Sequence, residues 1–207
     1  KDGTTTVGGA DYSDNNGGFF ESLNQVAIPA GSASFDLVIT PEADNIAEGD
    51  EQLDITLAAN AAYVVGTPDS AGMTISDDAA VITVTASDAT ARERGPDTGT
   101  FTFTRSGGNI SVALTVFVTK DGTTTVGRAD YSDNNGGFFE SLNQVAIPAG
   151  SASFDLVITP EADNIVEGDE VLDITIAENT AYVIGLPASA SMTIEDFVEL
   201  IFADGFE

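Results

Sequence analysis

The chain has 207 residues, 42% of them hydrophobic, and is therefore long enough to bury one or two cores. Its 34 acidic residues outnumber 6 basic ones, and the formal net charge of −28 disfavours nucleic acid and anionic membranes as partners. The sequence contains no Cys, His or Trp, which excludes disulfides, thiolate or imidazole metal sites and histidine-dependent catalysis. Membrane insertion is not expected, because no segment approaches the roughly 20 apolar residues of a spanning helix.

A tandem repeat organises the sequence. Lys1–Gly8 recurs as Lys120–Gly127, an offset of 120 − 1 = 119 residues, and Ala10–Ile46 recurs unchanged as Ala129–Ile165. Such self-similarity predicts a repeat architecture rather than a single catalytic domain. We predict residues 1–79 as a repeat without its first three strands, 80–197 as a complete repeat and 198–207 as an apolar C-terminal tail strand.

The complete repeat consists of short alternating segments rich in Val, Ile, Thr and Phe, separated by Gly, Asp, Asn and Pro. About seven strands are predicted, at Val81–Ser87, Thr100–Arg105, Ser111–Thr119, Gln144–Ile147, Ser153–Thr159, Val171–Ala177 and Ala190–Ile194. Alternation directs Phe101 and Phe103 to the core, and likewise Leu156 and Ile158. The sequence therefore predicts an all-β fold of tandem immunoglobulin-like antiparallel β-sandwiches.

The first copy and the tail raise a question of assembly. Residues 1–78 match 120–197, but they contain nothing equivalent to the three strands at 80–119, so a core face and a sheet edge are expected to be open. Either the chain is a piece of a longer array, or another chain supplies strands. The tail Phe197–Phe206 alternates apolar and other residues. It either packs on its own domain or pairs head-to-tail with a neighbouring chain, which would give a filament.

Acidic residues recur at the predicted strand ends, at ADYS, EADNIAEGDE and after MTI. Loops of a sandwich gather at its two ends, so these carboxylates would repel one another unless a cation neutralised them. Ca²⁺ takes about 6–8 oxygen ligands of the kind these residues offer. Asp and Asn are equally typical of solvated turns, and spacing alone leaves both interpretations open.

Two weaker patterns accompany the acidic ones. The loop Asn15–Phe20 and its copy carry paired aromatic residues, for which packing is the favoured role. Asp11 and Glu48 could be read as a glycosidase carboxylate pair, but no histidine or aromatic cleft accompanies them. We therefore expect no enzymatic activity.

The order of these elements resembles the Calx-β motif. The matching elements are Glu93–Gly95, Asp121–Thr123, Ala129–Tyr131, Pro148–Gly150, Ile158–Glu170 and Thr193–Asp196. The resemblance covers 80–197 and, without the first three strands, 1–78. It implies immunoglobulin-like sandwiches of the kind found in sodium–calcium exchangers, integrin β4 and large bacterial surface proteins.

The resemblance also implies calcium ligands. For the second unit these are Glu93, Asp130, Asp163, Glu167 and Asp196; for the first they are Asp11, Asp44, Glu48, Asp77 and Asp78. The terminal acidic run is short in both copies, and Ala43 and Ala162 stand where strongly binding members often have another acid. We therefore expect either weak Ca²⁺ sites of the millimolar class or the loss of one of the two sites.

The resulting expectation is a non-enzymatic extracellular structural or adhesion module, on a bacterial cell surface or secreted, that forms a stalk or fibre. Its expected partners are itself, through array neighbours or head-to-tail assembly, and a host or matrix surface ligand. The alternative is an accessory or ligand-binding domain of a large secreted enzyme.

Overall fold

The computed structural model describes residues 5–8, 11–17, 20, 23–43, 46–95, 97–120, 125–127, 130–162 and 165–196, except the side chains of 138 and 140. The chain forms two compact units, Lys1–Ala79 and Ala80–Glu207. In the described part of the chain, no helix is long and apolar enough to cross a membrane. The predicted tail strand at 198–207 lies outside the described residues and stays a prediction.

The described residues of the second unit contain ten strands and one short helix. They are β5 Val81–Asp88, β6 Thr90–Arg92, β7 Gly99–Ser106, β8 Leu114–Lys120, β9 Tyr131–Asp133, α1 Phe138–Leu142, β10 Gln144–Ile147, β11 Ser153–Pro160, β12 Glu170–Ile176, β13 Val183–Ile184 and β14 Ser189–Glu195. One sheet has the order β10-β8-β12-β14-β6, and the other has the order β13-β5-β7-β11-β9. The predicted all-β sandwich is confirmed.

The alternation read from the sequence places the core correctly. Phe101, Phe103, Leu156 and Ile158 are all buried and belong to one cluster between the sheets. Their neighbours in the strands are polar or partly exposed, as expected where one sheet face is solvated. Burial of these side chains contributes roughly 1.5–3 kcal/mol each relative to exposure.

Three short strands and a helix were not predicted. The segment after Asp130, where no strand was predicted, is strand β9, and β6 and β13 are sheet edges of two or three residues. The predicted strand at Ser111–Thr119 begins only at Leu114, because Asn109 Oδ1 accepts hydrogen bonds from Ser111 and holds a turn there. Phe139 lies in helix α1 and is buried, which confirms packing as the role of this aromatic.

The first strand of the second unit changes sheets. The β5–β7 register shifts between Ala86 and Asp88, and after this irregularity the chain continues as β6 in the opposite sheet. As a result β5 pairs with β13 in parallel and β6 pairs with β14 in parallel, whereas the other pairs are antiparallel. A bulge is the usual device by which a strand bends between sheets.

The described part of the first unit contains four strands: β1 Tyr12–Asp14, β2 Ile39–Pro41, β3 Glu51–Thr56 and β4 Ser70–Ile75. They form two antiparallel pairs, β1 with β2 and β3 with β4. A small cluster of buried side chains joins them: Val7, Tyr12, Phe20, Leu53 and Ile75.

Candidate metal centre

Three carboxylates of the second unit meet at one end of its sandwich. Asp130 directly precedes β9, Glu170 is the first residue of β12, and Glu167 lies in the loop before it. One oxygen from each lies within 4.8 Å of the others. The fold places the loop between β11 and β12 beside the start of β9, which is why Asp130 meets two glutamates that are far from it in sequence.

The first unit contains the same arrangement, 119 residues earlier. Asp11, Glu48 and Glu51 each offer a carboxylate oxygen, and these atoms also lie within 4.8 Å of one another. Asp77 and Asp78 line the same open cleft. Two independent copies of one acidic trio therefore belong to the repeat itself.

A fourth carboxylate fixes the loop that carries Glu167 by accepting hydrogen bonds from its backbone. Asp196 Oδ2 accepts hydrogen bonds from the backbone N–H groups of Glu167, at 2.9 Å, and Gly168, at 2.7 Å. In the first unit Asp77 Oδ2 accepts the equivalent bonds from Glu48 and Gly49. The two glycines adopt positive φ, which a residue with a side chain rarely does, and this conformation presents both N–H groups to the carboxylate.

Glu93 lies next to the second trio. It follows β6 and is one of two buried polar or charged residues in the described part of the chain. Its backbone N–H donates to Glu195 O at 3.3 Å, which fixes it beside the end of β14. The charge of Glu93 also helps to raise the pKa of Glu170, so the side chain acts on the site although it stands outside the trio.

The trio is electrostatically strained. Burial, and then the charges of Asp130 and Glu167, raise the pKa of Glu170 to about 7. The pKa of Glu51 is raised in the same way, by burial first and then by the charge of Asp11. Like charges held this close disfavour joint ionisation, and a bound cation would remove that penalty.

Two acceptor atoms at the second site are buried without a hydrogen-bond partner among the described residues. They are Glu170 Oε2 and Asp196 Oδ1. Buried carboxylate oxygens are rarely left unsatisfied in proteins. All the atoms here that could bind a metal are carboxylate oxygens, the ligand type that Ca²⁺ prefers, so the residues present fit a calcium ion.

The predicted ligands are distributed as follows. Asp130 and Glu167 meet in one trio, and Asp11 and Glu48 meet in the other. Asp77 and Asp196 position the loops, while Asp78 is exposed on the cleft of the first unit. Asp44 and Asp163 lie outside the described residues.

Sequence reasoning missed Glu51 and Glu170 as site residues. Side chains of a strand alternate between its two faces, so Glu170 shares a face with Leu172 and Ile174, which are buried in the core. Glu51 stands in the same relation to Leu53. The sequence did contain a signal for both residues. An acidic residue at the start of a strand, on the same face as core residues, is expected to lie at the end of the sandwich.

The fold and the acidic ends define a β-sandwich module with oxygen-ligand sites. The Calx-beta domain family model matches residues 1–80 and 76–197, and the chain belongs to this family, which is one of calcium-binding modules. The resemblance read from the motifs is thereby confirmed.

Two solved structures of Calx domains are similar to parts of this chain at low identity. The apo form of the Calx CBD1 domain is 18% identical, covers 57% of this chain and 98% of its own, and has a TM-score of 0.41. The calcium binding domain CBD12 of CALX1.1 is 22% identical, covers 55% of this chain and 44% of its own, and has a TM-score of 0.39. The comparison with curated proteins returned no match.

Proposed function

We propose that this chain is a calcium-binding structural module in which each unit holds Ca²⁺ at one end of its fold. The observation that carries the proposal is the trio Asp130, Glu167 and Glu170, in which a glutamate with a pKa raised to about 7 keeps a buried oxygen unpaired. A divalent cation would neutralise the trio and supply the missing partner. Membership of a family of calcium-binding modules supports the same ion.

We propose weak sites, of the 10⁻⁴–10⁻³ M class that is usual for extracellular modules. Glu48 and Glu167 are exposed, so water competes for their oxygens. Phe197 follows Asp196 in the second copy, whereas Asp78 follows Asp77 in the first, so we expect the two affinities to differ.

A melting experiment tests calcium binding. A ligand that binds only the native state adds RT ln(1 + [L]/Kd), which is about 1.4 kcal/mol at ten times Kd. Millimolar Ca²⁺ should therefore raise the melting temperature relative to chelator. Equal Mg²⁺ should raise it less, because the smaller ion demands octahedral geometry at short distances. Identical curves in calcium and chelator would refute calcium binding.

The role we propose is that of a non-enzymatic stalk or adhesion module outside the cell, on a bacterial surface or secreted. The tandem repeat, the net charge of −28 and the absence of cysteine support it. Cations at domain ends would stiffen an array by cancelling repulsion between carboxylates. The alternative is an accessory or ligand-binding part of a secreted enzyme. Electron microscopy of the native protein separates the two, since rods or filaments support the stalk.

Self-assembly through the tail is a further part of this proposal. Residues 197–207 lie outside the described residues, so the support is their alternating apolar sequence alone. Addition of a strand to an open sheet edge is an established mode of association. Deletion of Phe197–Glu207 should shorten or abolish a native assembly, and an assembly of unchanged length would refute strand donation by the tail.

A further inference from the structure

The first unit exposes apolar side chains that the second unit buries at the equivalent positions. Ile28 is 60% exposed and its copy Ile147 is 0% exposed. Tyr63 is 52% exposed and Tyr182 only 2%. The residue types are the same in both units, so the difference comes from what covers them.

In the second unit the segment Ala80–Thr119 covers these side chains. Ile147 lies opposite Leu114 in the β10–β8 pair. The Tyr182 hydroxyl accepts a hydrogen bond from Phe117 N at 3.1 Å. Met192 packs so closely against Gly99 that a Cβ there would not fit, whereas its copy Met73 is 46% exposed.

The strand pairs show the same division. Two pairs of the second unit involve none of β5–β8, namely β9 with β11 and β12 with β14, and both have a counterpart in the first unit. Three segments form no strand although their counterparts in the second unit pair with β8, β7 or β5: Gln25–Ile28, Ser34–Val38 and Val64–Val65. Backbone in a sheet needs a partner for its hydrogen bonds, and the described residues of the first unit provide none for these three segments as strands.

We propose that the open face of the first unit, formed by Val26, Ile28, Leu57, Tyr63 and Met73, is a docking site for a second copy of the segment 80–119 supplied by another repeat of this family. Strands of that type would extend both two-stranded sheets of the unit. The fit is specific because four of the five side chains on the face are identical to those that contact this segment in the second unit. Leu57 is the exception, with Ile176 as its counterpart.

Thiol labelling tests the proposal, since the chain has no cysteine of its own. Met73→Cys supplies a probe on the open face, and Met192→Cys is its matched control in the covered unit. Each is placed in the full chain and in the same chain with residues 80–119 joined ahead of Lys1, as Thr119 joins Lys120. A third version carries Phe101→Asp and Phe103→Asp in the added segment only, which removes its core face.

In the full chain we expect fast labelling at position 73 and slow labelling at position 192. The added segment should slow labelling at position 73 by about tenfold or more, since a buried thiol reacts only through opening. The version with two aspartates should give no protection. Unchanged labelling in the presence of the intact segment would overturn the proposal, as would equal protection by the aspartate version.

Two further measurements keep the result independent of the cysteine substitution. Hydrogen exchange in the unsubstituted chain should show unprotected amides at Ser34–Leu37 and protected ones once the segment is added. Sedimentation should show that the full chain is a monomer under the conditions in which position 73 labels rapidly. If position 73 is protected without the segment, and only where the chain dimerises, a whole second copy is the occupant and the proposal is wrong.

Discussion

Glu170→Gln should stabilise the second unit without calcium and reduce its response to calcium. Without a cation at pH 8, Glu170 is ionised beside Asp130 and Glu167, although these neighbours and burial raise its pKa to about 7. Glutamine has nearly the same shape, carries no charge and can donate to the Asp130 carboxylate. The substitution therefore removes a repulsion from the folded state.

The size of the effect follows from the pKa. The ordinary pKa is 4.5, and the difference from about 7 corresponds to at most about 3.5 kcal/mol at roughly 1.4 kcal/mol per pKa unit. Glu170 is only partly buried, and solvent screening reduces the gain to roughly 1–2 kcal/mol. For a unit of this size the melting temperature in chelator should rise by roughly 3–8 °C.

Calcium should narrow the difference between the variant and the wild type. The wild-type carboxylate can bind the cation and the amide binds it poorly, so the calcium-induced rise in melting temperature should be smaller in the variant. Calorimetry in chelator and in calcium measures both effects. Glu178→Gln is the matched control, because Glu178 is exposed beyond the opposite end of β12. A lower melting temperature of Glu170→Gln in chelator, or a calcium response equal to that of the wild type, would refute the reasoning.

Three further predictions concern pH, a buried hydroxyl and the two sites. In chelator, folded Glu170 keeps a proton that the unfolded chain loses between pH 4.5 and about 7, so stability should fall as pH rises through this window. Urea melts of the wild type and Glu170→Gln at pH 5 and 8 isolate this contribution. If the free energy of unfolding changed equally with pH in both proteins, the prediction would be contradicted. Tyr182→Phe removes the hydroxyl that bonds a backbone donor and a backbone acceptor, and it should lower the free energy of unfolding by about 1–3 kcal/mol. Tyr63→Phe, at an exposed position, should lower it by less than about 0.5 kcal/mol. Equal losses in denaturant melts would count against the covered core. Asp196→Asn should remove part of the calcium bound in titration calorimetry and Asp77→Asn the rest, because each holds the loop of its own unit. Complete loss from either change would show that the other unit has no site.

The sequence by itself determined the fold class and the faces of the long strands. Alternation in β7 and β11 placed Phe101, Phe103, Leu156 and Ile158 in the core, and all four are buried. This works because a strand has a strict period of two and a sandwich has one dry face per sheet. The motif order was sufficient to identify the family, since it is carried by local spacing.

Short strands and the change of sheet were decided only by tertiary structure. β6, β9 and β13 have two or three residues, too few for a periodic signal, and they exist because a neighbouring strand offers backbone partners. The parallel pairs at the sheet edges depend on the irregularity near Ser87, which the composition of the strand does not reveal.

The sequence predicted one part of the candidate site, and the tertiary structure decided the rest. The acidic residues of the loops were evident from composition. Glu51 and Glu170 belong to the two trios because their strands start at the end of the fold where the acidic loops meet. Burial raises their pKa values first, and then the charges of Asp130 and Asp11, which are distant in sequence, raise them further; spacing gives neither effect.

The repeat shows the limit of local sequence most directly. Gln25–Ile28 and Gln144–Ile147 are the same four residues, yet only the second copy forms a strand, β10. A β-strand is stabilised by hydrogen bonds and side-chain contacts with a partner strand, and β8 supplies both to the second copy. The sequence specifies which residues can form the strand, whereas the presence of the partner decides whether it forms.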